Sequence, residues 1–153
     1  MTTLSVRERI IQAIAARVGA SRGLESYDSR RLPVTVLVEG EDQPGEPDYD
    51  VTNLILPLTV ARAENPQGAK GDAWHTAANA ALAALITEIY AGGEDIAGLG
   101  TRIDYTGGGI GEIADAASGY VVQASIGVNY HFVRGNPYSH DPYAVDDPEP
   151  EEE

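Results

Sequence analysis

Residues 119–134 alternate between apolar and polar side chains over a longer stretch than any other part of the chain. The even positions from Tyr120 to Phe132 are all apolar, whereas the odd positions 123–131 are polar or glycine. A period of two places these two sets on opposite faces of an extended chain, and a helix would scatter them around its circumference. The pattern predicts one long strand with a packed face and a solvated face.

A helical period is visible near the start of the chain. Ser5 followed three residues later by Glu8 has the form of a capping box. Apolar residues then recur on one helical stripe as far as Val18, and Gly19 is placed to end the helix in a left-handed turn. These signals predict a helix over residues 6–18.

Two further stretches, Pro33–Glu39 and Thr52–Ala61, have the alternation of strands and are predicted to form a hairpin. Residues 40–50 between them contain glycine, proline and acidic residues but no basic residue, so we expect a loop that projects into solvent. Pro57 lies inside the second of these strands and cannot donate a ladder hydrogen bond. It predicts an edge position or a bulge.

The second half of the chain has an alanine-rich helical pattern followed by strands. After a linker over residues 62–71, a helix is predicted to begin with Asp72 as its cap and to stop at Gly92–Gly93. Residues 99–105 alternate as a third strand, and the glycine-rich residues 106–118 are predicted to be a long, flexible connection. The order α-β-β-α-β-β indicates an α+β fold, with a four-stranded, mainly antiparallel sheet and both helices on one face.

The composition is that of one acidic domain with an acidic tail. The chain has 153 residues and a formal net charge of −14. Seven acidic residues and no basic residue lie in the last thirteen positions, which therefore hold half of the net charge. We expect a single domain over 1–138 and a disordered tail over 139–153. The acidic balance of the rest argues against a protein that grips nucleic acid by its phosphates.

Cysteine and long apolar runs are both absent from the sequence. Disulfides, thiolate metal sites and cysteine nucleophiles are therefore excluded, and no membrane partner is expected. The N-terminus lacks the apolar region of a signal peptide, so we expect synthesis and assembly in a cytoplasm.

The glycines at 107–109 suggest a phosphate-binding loop at first sight. A dinucleotide fingerprint needs GxGxxG between a strand and a helix, but the position of its last glycine is Glu112. No Lys-Ser or Lys-Thr pair follows, which also excludes a P-loop. A glycine-rich hairpin is the favoured interpretation.

The remaining candidate chemistry is weak. The three histidines His75, His131 and His140 lack the spacing that places two ligands on one helical face. The acids of residues 48–50 lack the ligand order of an EF-hand, and no Gly-x-Ser-x-Gly elbow is present. We expect no catalytic site, no metal site and no cofactor.

Residues 4–138 resemble the tail terminator proteins of long-tailed bacteriophages, also called tail completion or head-tail joining proteins. The stretches that carry the resemblance are VRERIIQAIAARV, VTVLVE with the acidic insertion after it, LILPLTV, AANAALAALITEIY and VVQASIGVNYHFVRGNPY. The last of these, a long amphipathic strand that ends in aromatic residues, is the most specific. The acidic tail is not a general feature of that family.

The resemblance implies a structural virion protein rather than an enzyme. Such proteins form a homo-hexameric ring on the head-proximal end of the tail tube, stop its growth and offer a surface to the head-tail connector. The implied partners are further copies of the chain, the major tail tube protein, the connector protein and genomic DNA that passes without specific binding. The implied location is the virion, after assembly in the host cytoplasm.

Two sets of residues are candidates for these contacts. A ring needs an interface between different surfaces of neighbouring copies, and strand edges or mobile hairpins suit this purpose. The candidate interface comprises Pro57, Gly107, Gly108, Gly109, Ile110 and Ile113. An acidic loop would repel passing phosphates in a lumen, and the candidates are Glu41, Asp42, Glu46, Asp48 and Asp50.

Three alternative functions remain open at the level of the sequence. A neck or connector protein, or the terminator of a contractile tail, would share this architecture. A small α+β ligand-binding domain would need a pocket between helices and sheet. An enzyme would need a cleft that gathers carboxylates or histidines.

Overall fold

The computed structural model describes residues 3–22, 33–65, 69–113 and 119–143. Two helices and six strands make up the described chain. In chain order they are α1 (Val6–Val18), β1 (Ser21–Arg22), β2 (Val34–Glu39), β3 (Gln43–Pro44), β4 (Val51–Glu64), α2 (Asp72–Tyr90), β5 (Arg102–Glu112) and β6 (Tyr120–Val133). The predicted α+β class is confirmed, but the sheet has six strands rather than four, because two short strands were not predicted.

The sheet has the order β1-β2-β4-β6-β5, with β3 paired to β4 beyond the end of β2. Every pairing is antiparallel except that of β1 with β2, so the sheet is mixed. The long register of β4 with β6 runs from Val51 opposite Val133 to Glu64 opposite Tyr120. Strands β2, β3 and β5 each pair directly with one strand of this central pair.

The first helix has the predicted bounds, because both of its end signals act as expected. The hydroxyl of Ser5 accepts a hydrogen bond from the backbone N–H of Glu8, at 3.0 Å. Gly19 adopts the left-handed conformation with φ of 64°, and its N–H bonds to the carbonyl of Ala15. The stripe between these caps is buried against the sheet.

The core lies between one face of the sheet and the two helices. The even residues of β6 from Tyr120 to Tyr130 are buried, as their period of two predicts. Val60 of β4 and Leu37 of β2 continue the same face, since they lie opposite Ala124 and each other in the register. Both helices pack on this face.

Strand β4 is longer than predicted and lies in the interior of the sheet. The expectation of an edge position or a bulge at Pro57 is therefore wrong, since β4 is paired along both sides and its register with β6 is continuous through Pro57. The carbonyl of Pro57 accepts from Gly40 N–H at 2.8 Å, on the side of β2 and β3. The nitrogen of Pro57 faces the same side, opposite the gap between these two strands, where no ladder donor is needed.

The glycine-rich segment is not the flexible connection expected over 106–118. Residues 107–112 belong to β5 and pair with residues 120–125 of β6. Thr106 is an extra residue in β5 and makes a bulge between Tyr105 and Gly107. Residues 114–118 lie outside the described residues.

The second helix begins one residue away from the predicted cap. Gly71 occupies the N-cap position without a side-chain bond, and Asp72 is the first helical residue. The helix stops at Tyr90, and Gly92 and Gly93 follow with φ of 92°. A 3₁₀ turn over Ile96–Gly98 leads into β5, which begins three residues later than expected.

The chain after β6 folds back onto the domain. The carbonyl of Ser139 accepts from Val133 N–H at 2.7 Å, and Ser139 is buried. The carbonyl of Pro137 accepts from Val6 N–H at 2.9 Å, at the start of α1. The described fold thus continues past residue 138, to Tyr143.

Candidate assembly surface

The outer edge of β5 is closed at one end and open at the other. The N–H of Ile103 donates to Glu94 Oε1, and its carbonyl accepts from the Tyr90 hydroxyl, each at 3.2 Å. Outward and inward backbone groups alternate along an antiparallel strand. Beyond the bulge, the outward N–H and C=O groups belong to Gly108, Ile110 and Glu112. Within the described ranges these groups have no hydrogen-bond partner.

The predicted interface glycines all lie along this open edge. Gly107 and Gly109 present no side chain to the sheet face opposite the helices. A Cβ atom built on Gly109 has no heavy atom within 4 Å, so the position has free space. A Cβ atom on Gly108 would lie 2.5 Å from the Gln123 carbonyl oxygen and would also collide with the Tyr105 hydroxyl.

The other two predicted interface residues do not both belong to this edge. Ile113 ends the open edge, is half-buried and donates its N–H to the carbonyl of Gly119 at 3.3 Å. Pro57 is separated from β5 by β6. The structure therefore brings Gly107–Ile110 and Ile113 together and leaves Pro57 apart.

The acidic residues of the predicted lumen loop divide into two groups. Glu46, Asp48 and Asp50 are exposed at the hairpin tip, where Asp48 accepts from the N–H of Asp50 at 2.8 Å. The Tyr143 hydroxyl donates to Asp50 at 3.2 Å, so the last described residue lies next to the acidic tip. We call this end of the molecule the acidic end.

Asp42 is exposed, but its carboxylate is bonded to the domain instead of projecting freely into solvent. Its carboxylate accepts from the Tyr130 hydroxyl at 2.9 Å and from Arg7 Nε at 3.3 Å. Burial, and next the bond to Asp42, raise the pKa of Tyr130 far above its ordinary value. Glu41 is exposed. The loop over 40–50 is thus held to the domain at Asp42, and β3 pairs with β4.

Two arginines hold the base of the loop against α1. Arg7 donates to Glu39 at 2.7 Å, and Arg22 donates to Glu39 and Glu8. The bonds from Arg22 and then Arg7 lower the pKa of Glu39, and the bond from Arg22 lowers that of Glu8. No local sequence pattern indicates these pairs, because their partners come from three separate elements.

The open edge and the acidic end lie far apart along the sheet. Glu112 pairs with the first residue of β6, whereas Val51, next to the acidic tip, pairs with the last. One copy therefore offers two distinct surfaces. Sequence reasoning missed Tyr90 and Glu94, which close the edge at Ile103, since neither lies in a pattern that points to a strand border.

A cavity of about 350 Å³ lies at the start of α2. It is lined by Ala69, Lys70, Gly71, Trp74, His75, Glu112, Ile113 and Gly119.

In the described part of the chain, no group of three or more histidine or acidic side chains could hold a metal ion. Neither described α-helix has the length and hydropathy needed to span a membrane.

The described residues form a two-layer α+β domain in which part of the β5 edge is open and one end is acidic. No protein-family model matches the sequence, and no curated protein is significantly similar to it.

Proposed function

We propose that this chain is a structural virion protein of a long-tailed bacteriophage. In this proposal a homo-hexameric ring of the chain caps the head-proximal end of the tail tube and ends tube growth. The ring then offers its other side to the head-tail connector. The chain carries out no reaction and needs no cofactor in this role, and it is assembled in the host cytoplasm.

The observation that carries the proposal is that the open β5 edge and the acidic end lie at different places on one sheet. A ring is built from heterologous contacts, in which one surface of each copy binds a different surface of the next. The open edge of β5 supplies unpaired backbone groups for such a contact. The order of elements, two helices and a sheet dominated by a long terminal strand, is that of the resembled family.

The acidic end supports the second half of the proposal. Genomic DNA has to pass through the ring without binding to it. Glu46, Asp48 and Asp50 are exposed together, and Tyr143, which precedes the acidic C-terminal residues in the sequence, contacts Asp50. If several copies turn this end toward a lumen, their fields add and repel phosphates. An assembled ring with the tip on its outer rim would contradict this placement.

The decisive experiment uses tail tubes assembled from the major tail tube protein of the same genome. Purified chain is mixed with the tubes, which are then viewed in negative stain. We expect ring-shaped caps at one end of each tube and an arrest of further growth. Tubes that keep growing and carry no caps would overturn the proposal.

A neck or connector protein, or the terminator of a contractile tail, is the alternative that uses the same fold. A connector protein would bind the portal end of filled heads and leave tail tubes bare. Adding the chain separately to heads and to tubes therefore distinguishes a connector protein from a tail terminator. A sheathed tube as the preferred substrate would indicate a contractile tail.

A further inference from the structure

The open part of the β5 edge has the properties of a strand acceptor. Over residues 107–112 the outward N–H and C=O groups of alternate residues have no partner among the described residues. Exposed edges in soluble proteins are usually protected by lysine, proline or a covering element. In this stretch there is no lysine and no proline, and Tyr90 and Glu94 cover only Ile103.

The side chains along this edge also leave room for a further strand. Gly107, Gly109 and Gly111 alternate on the face opposite the helices, so an added strand meets no side chain of β5 there. Ile110 on the other face is half-buried and packs against the core. Only Glu112 adds a charge to the open part.

The opposite border of the sheet runs in the direction that such a partner requires. Strand β1 is parallel to β2, and the three further pairings from β2 through β4 and β6 to β5 are all antiparallel. Strand β5 therefore runs opposite to β1. When one sheet continues into the next, β5 of one copy therefore meets β1 of its neighbour in antiparallel orientation. Both residues of β1, Ser21 and Arg22, are exposed.

We propose that the β5 edge over 107–112 binds the β1 border of a second copy by antiparallel strand addition. The sheet then continues from copy to copy in a head-to-tail manner, and the rotation between copies can close into a ring. This inference rests on the proposed function for its choice of a closed assembly. The strand contact itself is tested separately below.

Proline substitutions on the edge test the contact with matched controls. The N–H of Ile110 points outward, so Ile110→Pro removes a donor to the partner without removing an internal ladder bond. Ile110→Ala loses the same packing but keeps the N–H. Glu112→Pro and Glu112→Ala repeat the comparison at an exposed side chain, in case Ile110→Pro does not fold. Circular dichroism establishes folding for each variant.

Sedimentation velocity over a range of concentrations then reports the assembly. We expect the unmodified chain and both alanine variants to associate, whereas the proline variants stay monomeric, with at least a tenfold loss of association. Folded proline variants that associate like their alanine controls would overturn the inference.

Cross-linking identifies the partner strand, because the chain has no cysteine of its own. The double variant Ser21→Cys/Gly109→Cys is treated with a short bis-maleimide and separated on a denaturing gel. We expect a ladder of trimers and larger species, and no such ladder from either single variant. Dimers from Gly109→Cys alone would show that two β5 edges pair with each other and would overturn the head-to-tail contact.

The tube-capping assay keeps this inference distinct from the proposed function. Caps formed equally well by folded proline variants would overturn the edge contact and leave the tail role standing. Edge-dependent association without caps would support the edge contact and overturn the tail role. A chain that stays monomeric with and without tubes would overturn both.

Discussion

Arg62 in β4 binds Glu88 in α2 through both carboxylate oxygens, with N···O distances of 2.6 and 3.0 Å. The same guanidinium donates to the carbonyl of Val18 at 2.9 Å, where α1 ends. One side chain, only 13% exposed, therefore joins both helices to the sheet. The bond from Arg62 lowers the pKa of Glu88.

Replacing this arginine is expected to loosen the two-layer packing. Arg62→Ala should lower the free energy of unfolding by about 2 kcal/mol, because the bidentate, partly buried pair and the hydrogen bonds to the Val18 carbonyl and the Thr35 hydroxyl are lost. Urea denaturation followed by circular dichroism measures the loss.

Arg102→Ala is the matched control for Arg62→Ala, since Arg102 also lies in a strand and pairs with an acid. Its side chain is 67% exposed, so its removal should change the free energy of unfolding by less than about 0.5 kcal/mol. Equal losses at the two positions would contradict the role given to Arg62.

The stability of the domain should fall in acid. Glu8, Glu39 and Glu88 have pKa values below the ordinary 4.5, because each accepts hydrogen bonds from an arginine. A carboxyl whose pKa is lower in the folded state stabilises the fold above the unfolded value, and this contribution disappears as pH falls through the folded pKa. We expect the urea midpoint to decrease steadily from pH 4.5 downward.

Glu39→Gln tests the source of this acid dependence. The variant should be less stable than the unmodified chain at neutral pH and should lose less stability on acidification, because one of the three carboxyls with a lowered pKa is gone. Parallel pH profiles for the two proteins would show that the arginine pairs at Glu39 do not cause the effect.

The two neighbouring glycines of β5 should respond oppositely to alanine. Gly108→Ala places a Cβ atom 2.5 Å from a backbone carbonyl, so the strand has to shift, and we expect a loss of about 2 kcal/mol in the free energy of unfolding. Gly109→Ala meets open space and should be neutral, or stabilising by up to about 1 kcal/mol, since the unfolded chain loses freedom. Thermal unfolding of both variants compares them directly.

Tyr120 is expected to titrate late in alkali. Burial, and next the hydrogen bond to Glu64 at 2.8 Å, raise its pKa to about 12. Its contribution to stability is complete below the ordinary tyrosine value of 10 and is lost as pH rises through 12. In an ultraviolet titration of tyrosinate, Tyr120→Phe should remove a component near pH 12. Glu64→Gln should move that component to lower pH, and an unmoved component would contradict this cause.

The acidic tip should keep DNA from binding to the assembled protein. The triple variant Glu46→Lys/Asp48→Lys/Asp50→Lys is expected to bind short double-stranded DNA at low ionic strength and to release it as salt is added. Gel mobility of the DNA is the measurement. The control variant Glu151→Lys/Glu152→Lys/Glu153→Lys makes the same change of charge in the C-terminal tail and should bind much less DNA. Equal retention would contradict a lumen position for the tip.

Local signals were sufficient to predict the elements that are amphipathic and capped. The strict alternation along β6 predicted both its extent and its buried face, and Ser5 with Gly19 marked the ends of α1. Such features depend on neighbours in sequence, so they can be seen without the fold. The two-residue strands β1 and β3 have too few positions to show any period.

The errors came from contacts between distant residues. The glycines of β5 have the composition of a loop, but the long edge of β6 provides a pairing partner for each of them. Asp42 was expected in solvent because its loop is acidic, and only the fold brings Arg7 and Tyr130 to it. Of the candidate interface residues, the glycines lie together along β5, whereas Pro57 lies in the interior of the sheet, apart from them.

The bond from the Val6 N–H to the carbonyl of Pro137 joins the first turn of α1 to the segment that follows β6. The Val6 amide therefore acquires this partner only after all strands of the described sheet have been synthesised. A nascent chain that stops before Pro137 leaves this amide without its bond, so the segment after β6 completes the first turn of the first helix.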